Sequence, residues 1–298
     1  MGWLCPCTGG GSVTDLRRPL LRYFGGKWRL APWIISHFPP HKTYVEPFGG
    51  SASVLLRKPR SNGEIYNDLD NEVFDLFSVL RSDQADDLIR AVALTPFSRT
   101  DFDLAYQPTE DPIESARRLI VRSFFGYGGA LAIQRRPTSF RSVNKLAGNP
   151  PAAPWLNYPD ALAGIVSRLQ GVVIENGPAL RVLTDHDACN TLFYVDPPYP
   201  HETRSQKTQD GQPHHRYRHE MSTDDHQELL AALKGLSGKV VLSGYECPLY
   251  AAELRDWHRA IRETTGDKGT KRTEILWLNF DPRGCAPPSG LFSEETAA

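Results

Sequence analysis

The sequence predicts a mixed α/β fold in which helices cover both faces of a mostly parallel β-sheet. Short apolar runs rich in β-branched residues, bounded by Gly, Pro or Asp, are typical of buried parallel strands. Such runs occur at 43–45, 63–66, 172–175, 192–195 and 239–243. Helical periodicity lies between them, notably at 70–80 and at 224–236, where Ser222 is the predicted N-cap. Two further runs, 259–263 and 274–280, flank a polar loop and predict an antiparallel hairpin at the end of the sheet.

The stretch 96–169 interrupts this alternation of strands and helices. It contains helix-like segments near 115–125 and 160–169, joined by connections rich in Gly and Pro. We therefore predict an inserted, mainly helical domain at 96–169 within a larger domain formed by 20–95 and 170–281. The segments 1–19 and 282–298 have no hydrophobic period, and we expect both to be flexible.

Composition limits the cell compartment and the partners. No apolar run of the 298 residues is long enough for a membrane span and no secretory signal is present, so we expect no membrane association and a cytoplasmic location. The five cysteines form no C-x-x-C pair, and the histidines of 201–219 lack a plausible ligand spacing, so we expect no metal. Because the net charge is only −1, any nucleic-acid surface must be a local patch.

The strongest chemical signal is the segment Asp196, Pro197, Pro198 and Tyr199, which directly follows the apolar run 192–195. Polar residues at the carboxyl end of a strand lie where α/β sheets bind ligands. Two consecutive prolines stiffen the chain, so that backbone carbonyls and the Asp196 carboxylate can converge on one amino group. The ring of Tyr199 can then stack on a planar base. A tight surface turn is the alternative interpretation of these four residues taken alone.

A second candidate ligand site follows the strand predicted at 43–45. Glu46, Phe48 and Gly50 belong to a turn rich in small residues, which precedes an apolar helical pattern at 54–56. Glycines in such a turn allow the backbone to approach a nucleoside closely. Asp68 follows the next strand, at an offset suited to an acidic residue that binds a ribose diol.

A third candidate lies nearer the amino terminus. Tyr23, Gly25, Gly26 and Lys27 precede a short helical pattern. Taken alone, two glycines followed by a lysine are equally typical of a helix cap with a solvated charge. The position of this segment ahead of the other two favours a ligand site.

The order of these segments resembles the alpha-group DNA adenine methyltransferases of bacteria and phages, over roughly residues 20–280. That family has an aromatic-x-Gly-Gly-Lys segment, a Glu-Pro-Phe-x-Gly-x-Gly turn, an acidic residue after the next strand, an inserted target-recognition domain and an Asp-Pro-Pro-Tyr motif. All five occur here in that order. One departure is Ala52, which stands where the family has its second glycine. A methyl group takes little space there, so we expect cofactor binding to survive.

The resemblance implies a Rossmann-like class I methyltransferase fold that binds S-adenosylmethionine and methylates N6 of a flipped-out adenine in double-stranded DNA. No obligatory protein partner is expected, and a monomer is the simplest assembly. The residues implied to bind the cofactor are Tyr23, Gly25, Gly26, Lys27, Glu46, Phe48, Gly50, Asp68 and Asp196. The residues implied to hold the adenine are Asp196, Pro197, Pro198 and Tyr199.

A local basic segment supplies a candidate DNA surface. Residues 115–145 contain seven Lys or Arg residues and no Asp or Glu. Glycines and aromatic residues interrupt the segment, as expected of a loop that contacts phosphates and reads bases. A solvated helix face followed by a linker is the alternative. The predicted DNA contacts are Arg122, Arg135, Arg136, Arg141 and Lys145.

Other functions fit the sequence less well. A dinucleotide-dependent oxidoreductase would require a G-x-G-x-x-G turn, which the chain lacks. A methyltransferase for cytosine N4, RNA or a protein amide would share the cofactor fold, but Asp rather than Ser or Asn at position 196 favours adenine. A DNA-binding relative without catalytic activity is a further alternative, and the intact 196–199 motif argues against it.

Overall fold

A computed structural model describes residues 16–22, 25–127, 138–142, 152–203, 218–265 and 271–284. Within this part of the chain, seven strands form one sheet. They are β1 (Thr43–Glu46), β2 (Gly63–Asn67), β3 (Val172–Glu175), β4 (Thr191–Val195), β5 (Lys239–Gly244), β6 (His258–Thr265) and β7 (Lys271–Leu278). Each overlaps a predicted strand, and the predicted α/β class is confirmed.

The strand order is β3-β2-β1-β4-β5-β7-β6. The first five strands in this order are parallel, and β7 runs antiparallel to both β5 and β6. The chain moves outward from β1 through β2 to β3, and then returns to the other side of β1 to form β4. Sheets of this kind bind ligands at the carboxyl ends of the two strands where the order reverses. The fold therefore places the candidate site at the ends of β1 and β4.

The described helices surround this sheet. They are α1 (Ala31–Ile35), α2 (Asn71–Leu80), α3 (Ala85–Leu94), α4 (Arg99–Leu104), α5 (Pro112–Phe125), α6 (Ala153–Leu156), α7 (Tyr158–Leu169), α8 (Ala179–Asp185), α9 (Thr223–Gly235) and α10 (Pro248–Glu253). Ser222 caps α9 as predicted, because its Oγ accepts from the N–H of Asp225 at 3.1 Å. None of the described helices has the length and apolar character needed to cross a membrane.

Helices cover both faces of the sheet because strand side chains alternate between the faces. In β4, Leu192 and Tyr194 belong to a hydrophobic cluster shared with α1, α2, α3, α5 and α7. Phe193 and Val195 belong to a second cluster shared with α8, α9 and α10. The four strand residues are almost fully buried, so both faces contribute to the core.

Helices α4 to α7 lie within the predicted insertion. Phe102, Leu119, Trp155 and Leu162 are buried in the same cluster as Tyr44 of β1. The described part of the insertion therefore packs onto one face of the sheet and shares its core. Its boundaries at 96 and 169 stay a prediction.

Two local predictions need correction. Leu16 packs against the core and Arg18 donates to the carbonyl of Pro154 at 3.1 Å, so these two residues of the predicted flexible segment 1–19 have fixed contacts. The apolar pattern at 54–56 forms turns rather than a helix. The N–H of Leu55 donates to Oε1 of Glu46 at 2.9 Å, and this side chain takes the place of a helical carbonyl partner.

Candidate active site

A pocket lies at the carboxyl ends of β1 and β4, where the sheet topology places a ligand. Three separate parts of the sequence contribute to it: the Gly-Gly-Lys segment, the turn after β1 and the end of β4. The residues that line it are Gly25, Gly26, Lys27, Glu46, Phe48, Gly49, Gly50, Ser51, Ser53, Val54, Tyr194 and Asp196. The fold thus brings together seven of the predicted cofactor-binding residues.

Lys27 connects the amino-terminal segment to the end of β4. Its ammonium nitrogen Nζ lies 3.0 Å from Oδ1 of Asp196 and 3.6 Å from Oε1 of Glu274. Nζ also donates to the carbonyl of Gly25 at 3.1 Å. The Lys27 side chain is only 5% exposed, so this ion pair is shielded from solvent screening.

Burial and neighbouring charges perturb Asp196. Burial raises the pKa of its carboxyl to about 6, the nearby Lys27 ammonium opposes this rise, and Glu274 adds to it. At neutral pH the carboxylate is therefore ionised and can accept hydrogen bonds. A carboxylate that titrates near pH 6 can also accept a proton transiently during a reaction near neutral pH.

Tyr199 is fixed on several sides next to Asp196. Its hydroxyl donates to Oε1 of Glu274 at 2.6 Å, and its ring meets Tyr245 edge-on with the ring centroids 4.6 Å apart. Lys27 Nζ lies over the Tyr199 ring, 4.7 Å from the centroid, in a cation–π arrangement. The side chain is 6% exposed, so its orientation is largely set before any ligand binds.

Glu46 presents a buried carboxyl group to the same pocket. Its Oε1 accepts from the Tyr44 hydroxyl at 2.7 Å and from the N–H of Leu55 at 2.9 Å. Its Oε2 is buried and has no hydrogen-bond partner among the described residues. Burial raises the pKa of this carboxyl to about 8. A buried acceptor without a partner is costly, and a ligand with a cationic N–H donor would satisfy it.

Asp68 holds the turn after β1 from the end of β2. Its two carboxylate oxygens accept from the N–H groups of Gly50 at 2.7 Å and of Asp70 at 2.8 Å. Burial raises the pKa of Asp68 to about 6, and these two hydrogen bonds oppose the rise. Asp68 is therefore attached to the rim of the pocket through Gly50.

The turn after β1 requires unusual backbone geometry. Gly50 has φ +51° and Ala52 has φ +52°, both in the left-handed region that disfavours a side chain. This conformation explains why a glycine suits position 52. Gly49 lies so close to Tyr66 that a Cβ would approach the Cε2 atom of the ring to 2.0 Å. Any side chain at position 49 would therefore force the turn away from the pocket.

Comparison with known proteins identifies the family. A profile of the D12 class N6 adenine-specific DNA methyltransferases matches residues 23–265. The chain belongs to this family. The resemblance inferred from the order of the motifs is confirmed.

Individual relatives match shorter parts of the chain. The modification methylase LlaI of Lactococcus lactis subsp. lactis is 24% identical over 187 residues, which cover 60% of this chain and 29% of that protein. The DNA adenine methylase of Escherichia coli strain K12 is 26% identical over 119 residues, which cover 38% of this chain and 42% of that protein. The chain thus spans less than half the length of the curated relatives it matches.

Two contributors to this D12 site were not predicted from the sequence. Glu274 on β7 is 2% exposed and contacts Tyr199, and the Ser243 hydroxyl of β5 donates to the same Oε1 atom at 2.6 Å. The available signal was a lone acidic residue at the start of the apolar run 275–278. Tyr23, which was predicted to line the cofactor pocket, lies outside the described residues.

The predicted DNA contacts of this D12 protein separate into three groups. Arg135, Arg136 and Lys145 lie outside the described residues. Arg122 is 3% exposed, and its guanidinium donates to the carbonyl of Ala105 at 2.6 Å and to Glu72 at 3.1 Å. Its prediction as a DNA contact is therefore wrong for this structure, because a buried and paired guanidinium does not face a phosphate.

Arg141 differs from Arg122 in its surroundings. It is half-buried beside Tyr127, with the guanidinium carbon 5.4 Å from the ring centroid, and its Nε has no hydrogen-bond partner among the described residues. Arg22 lies nearby, since its pKa is lowered to about 10 by burial and then by the charges of Arg141 and Arg18. The positive charges of Arg141 and Arg18 therefore both act on Arg22, and such a grouping of like charges favours an anion.

Proposed function

We propose that this protein transfers a methyl group from S-adenosylmethionine to the exocyclic N6 of an adenine in double-stranded DNA. The observation that carries this proposal is the position of Asp196, which lines the pocket at the β1–β4 switch point while Tyr199 and Lys27 lie beside it. Membership of the D12 class supports the same reaction.

The pocket fits the proposed cofactor. The unpartnered Oε2 of Glu46 can accept from the ammonium of its methionine moiety, and Asp68 can accept from its ribose hydroxyls. Phe48 and the glycines at 25, 26 and 50 would complete the binding surface. When bound, the cofactor supplies an electrophilic methyl group on a sulfonium.

Asp196 and the carbonyl of Pro197 would accept the two N–H groups of the target amine. These hydrogen bonds favour a more tetrahedral nitrogen whose lone pair points towards the methyl donor. Alignment of this kind contributes up to roughly 7 to 11 kcal/mol when fully realised. After transfer the nitrogen must lose one proton, and the Asp196 carboxylate can accept it before solvent does.

The target base has to leave the duplex to reach this pocket. Flipping costs a few kcal/mol, and stacking on an aromatic side chain returns about 1 to 3 kcal/mol per base. Tyr199 would provide that surface, because its ring is already held by Glu274 and Tyr245. The cationic group of Arg22 and Arg141, together with Arg135, Arg136 and Lys145, would contact the DNA backbone.

We also propose that one chain suffices for the reaction, since Lys27, Glu46 and Asp196 already meet at one pocket. The proposed substrate and cofactor are found in the cytoplasm of bacterial cells, so the protein would act there.

Transfer of tritium from labelled S-adenosylmethionine to DNA tests the function. The DNA is then digested to nucleosides and separated. Label in N6-methyl-2′-deoxyadenosine is the expected result. Label in N4-methylcytosine would assign the enzyme to the neighbouring class, and DNA binding without transfer would favour a relative that has lost catalysis.

A further inference from the structure

We propose that Glu274 is a positioning residue for methyl transfer, which fixes the Tyr199 ring and takes over the Lys27 ammonium when Asp196 turns to the substrate amine. This inference rests on the proposed function. It assigns a role to a residue on β7, on the antiparallel side of the sheet, far in sequence from the segments that define the family resemblance.

Glu274 contacts both partners of Asp196. Its Oε1 accepts from the Tyr199 hydroxyl at 2.6 Å and lies 3.6 Å from Lys27 Nζ. The Ser243 hydroxyl donates to the same oxygen at 2.6 Å, so the carboxylate is anchored to β5 as well. With Tyr199 held through its hydroxyl, the ring keeps one orientation beside Asp196.

Lys27 and the target amine compete for the same carboxylate. Lys27 Nζ lies 3.0 Å from Oδ1 of Asp196, and the proposed reaction requires an N–H of adenine to donate to this carboxylate. A buried ammonium is destabilised when a neighbouring counter-charge is withdrawn. Glu274 already lies within ion-pair distance of Nζ, so Lys27 can exchange one carboxylate for the other without crossing the pocket.

The location of Glu274 supports a functional role over simple packing. The side chain is 2% exposed and the four residues that follow it, 275–278, are all buried and apolar. Burying a carboxylate in such a strand is costly, and replacing buried ionic groups with apolar ones is often neutral or stabilising. The cost of burying the Glu274 carboxylate is explained if its negative charge is needed next to Lys27.

Glu274→Gln separates charge from shape. Glutamine keeps the volume and an oxygen that accepts from Tyr199 and Ser243, but it removes the negative charge. We expect kcat to fall by at least about 10-fold, which corresponds to roughly 1.4 kcal/mol in the barrier. The KM for DNA should change little, because backbone contacts elsewhere dominate DNA binding. The matched control is Glu263→Gln, an exposed residue on the same hairpin, which should keep the wild-type kcat.

A double-mutant cycle tests whether Glu274 acts through Lys27. In a Lys27→Met background there is no ammonium to accommodate, so Glu274→Gln should then lower kcat by less than about 2-fold. Independent losses that multiply would show that the two residues do not act together. If Glu274→Gln does not fold, Glu274→Asp keeps the charge but shortens its reach, and it should lower kcat likewise.

The titration of the Asp196 carboxyl carbon, followed by NMR without DNA, gives a readout that does not require activity. The charged and titratable groups around Asp196 include Lys27, Glu274, Tyr199 and Glu46. Because Glu274 raises the pKa of Asp196, Glu274→Gln should bring it below its value of about 6. The Glu263→Gln control should leave it in place.

The outcomes distinguish this inference from the proposed function. If the wild-type protein transfers no methyl group to DNA, the proposed function fails, and the Asp196 titration still decides whether Glu274 is coupled to that carboxylate. If the wild-type protein is active while Glu274→Gln and Glu274→Asp keep its kcat, the role of Glu274 is overturned and the function stands.

Discussion

The Nζ atom of Lys27 lies 3.0 Å from Oδ1 of Asp196, which joins the segment before α1 to the end of β4. Burial raises the pKa of Asp196 to about 6, and the charge of the Lys27 ammonium is the largest effect that opposes this rise. The pair therefore keeps a shielded carboxylate ionised near neutral pH. It also ties together two segments that are remote in sequence and adjacent only in the folded sheet.

The pH dependence of kcat should reflect this pair. Protonated Asp196 is a weaker acceptor for the substrate N–H and cannot take the proton that the nitrogen must lose. We therefore expect kcat to fall as the pH drops through about 6. Lys27→Met removes the group that lowers the pKa, so this acidic limb should move to higher pH. The measurement is a profile of kcat between pH 5 and 8, with Lys234→Met on α9 as the control. If the acidic limb of Lys27→Met does not move, Lys27 does not lower the pKa of Asp196.

Glu46 should make cofactor affinity depend on pH. Its pKa is raised to about 8 by burial, and a cationic ligand binds its ionised form. Binding below pH 8 must therefore release a proton, so affinity should rise between pH 6 and 8. Glu46→Gln should weaken binding by about 10- to 100-fold, the value of a lost charged hydrogen bond, and remove this slope. Calorimetric titration measures both, with the exposed Glu228→Gln as the control. A retained slope would exclude Glu46 as its origin.

Ala52→Gly should not destabilise the protein although the residue is fully buried. Its φ of +52° costs an alanine about 1 to 2 kcal/mol, a strain that glycine relieves. Against this, glycine makes the unfolded chain more flexible, which destabilises the folded state by roughly 0.4 to 1 kcal/mol. The relief of strain is slightly larger. Ala116→Gly on α5, also buried but helical, should lose about 1 kcal/mol. Urea unfolding compares the two variants, and equal losses would show that position 52 is not strained.

Arg141→Ala should weaken DNA binding, whereas Arg122→Ala should lower the stability of the fold. Arg141 lies in the cationic group with Arg22, so its removal should weaken DNA binding and reduce the salt dependence by about one phosphate contact while stability is kept. Arg122 pairs with Glu72 in the interior, so its removal should lower the unfolding free energy by about 3 to 5 kcal/mol. Salt-dependent DNA binding and urea unfolding measure these effects. If Arg141→Ala lowers the unfolding free energy and Arg122→Ala does not, the roles given to the two arginines are reversed.

Local patterns were sufficient to predict the sheet and the central motif. The five parallel strands contain short apolar runs, and Asp196 to Tyr199 follow one of them without a gap, so sequence order alone places them at a strand end. The same holds for Glu46 at the end of β1 and for Asp68 after β2. These residues are set by their own strands and require no knowledge of distant contacts.

The features that the sequence does not predict depend on contacts between segments that are distant along the chain. Glu274 meets Tyr199 and Lys27 only because β7 inserts beside β5, and nothing near it in sequence indicates those partners. Arg122 was counted within a basic segment, yet the helical period places it with Leu119 and Phe125, which are buried. The helix predicted at 54–56 failed because Glu46 accepts the N–H of Leu55.

Single-molecule sequencing of plasmid DNA most directly tests the central claim of adenine methylation. Unmethylated plasmid is incubated with the purified protein and S-adenosylmethionine, beside an Asp196→Ala variant of the same fold. We expect N6-methyladenine at one short motif with the wild-type protein and none with the variant, since a lost general base alone lowers rates by about 100- to 10,000-fold. Unmodified DNA, or a variant that methylates as well as the wild type, would contradict it.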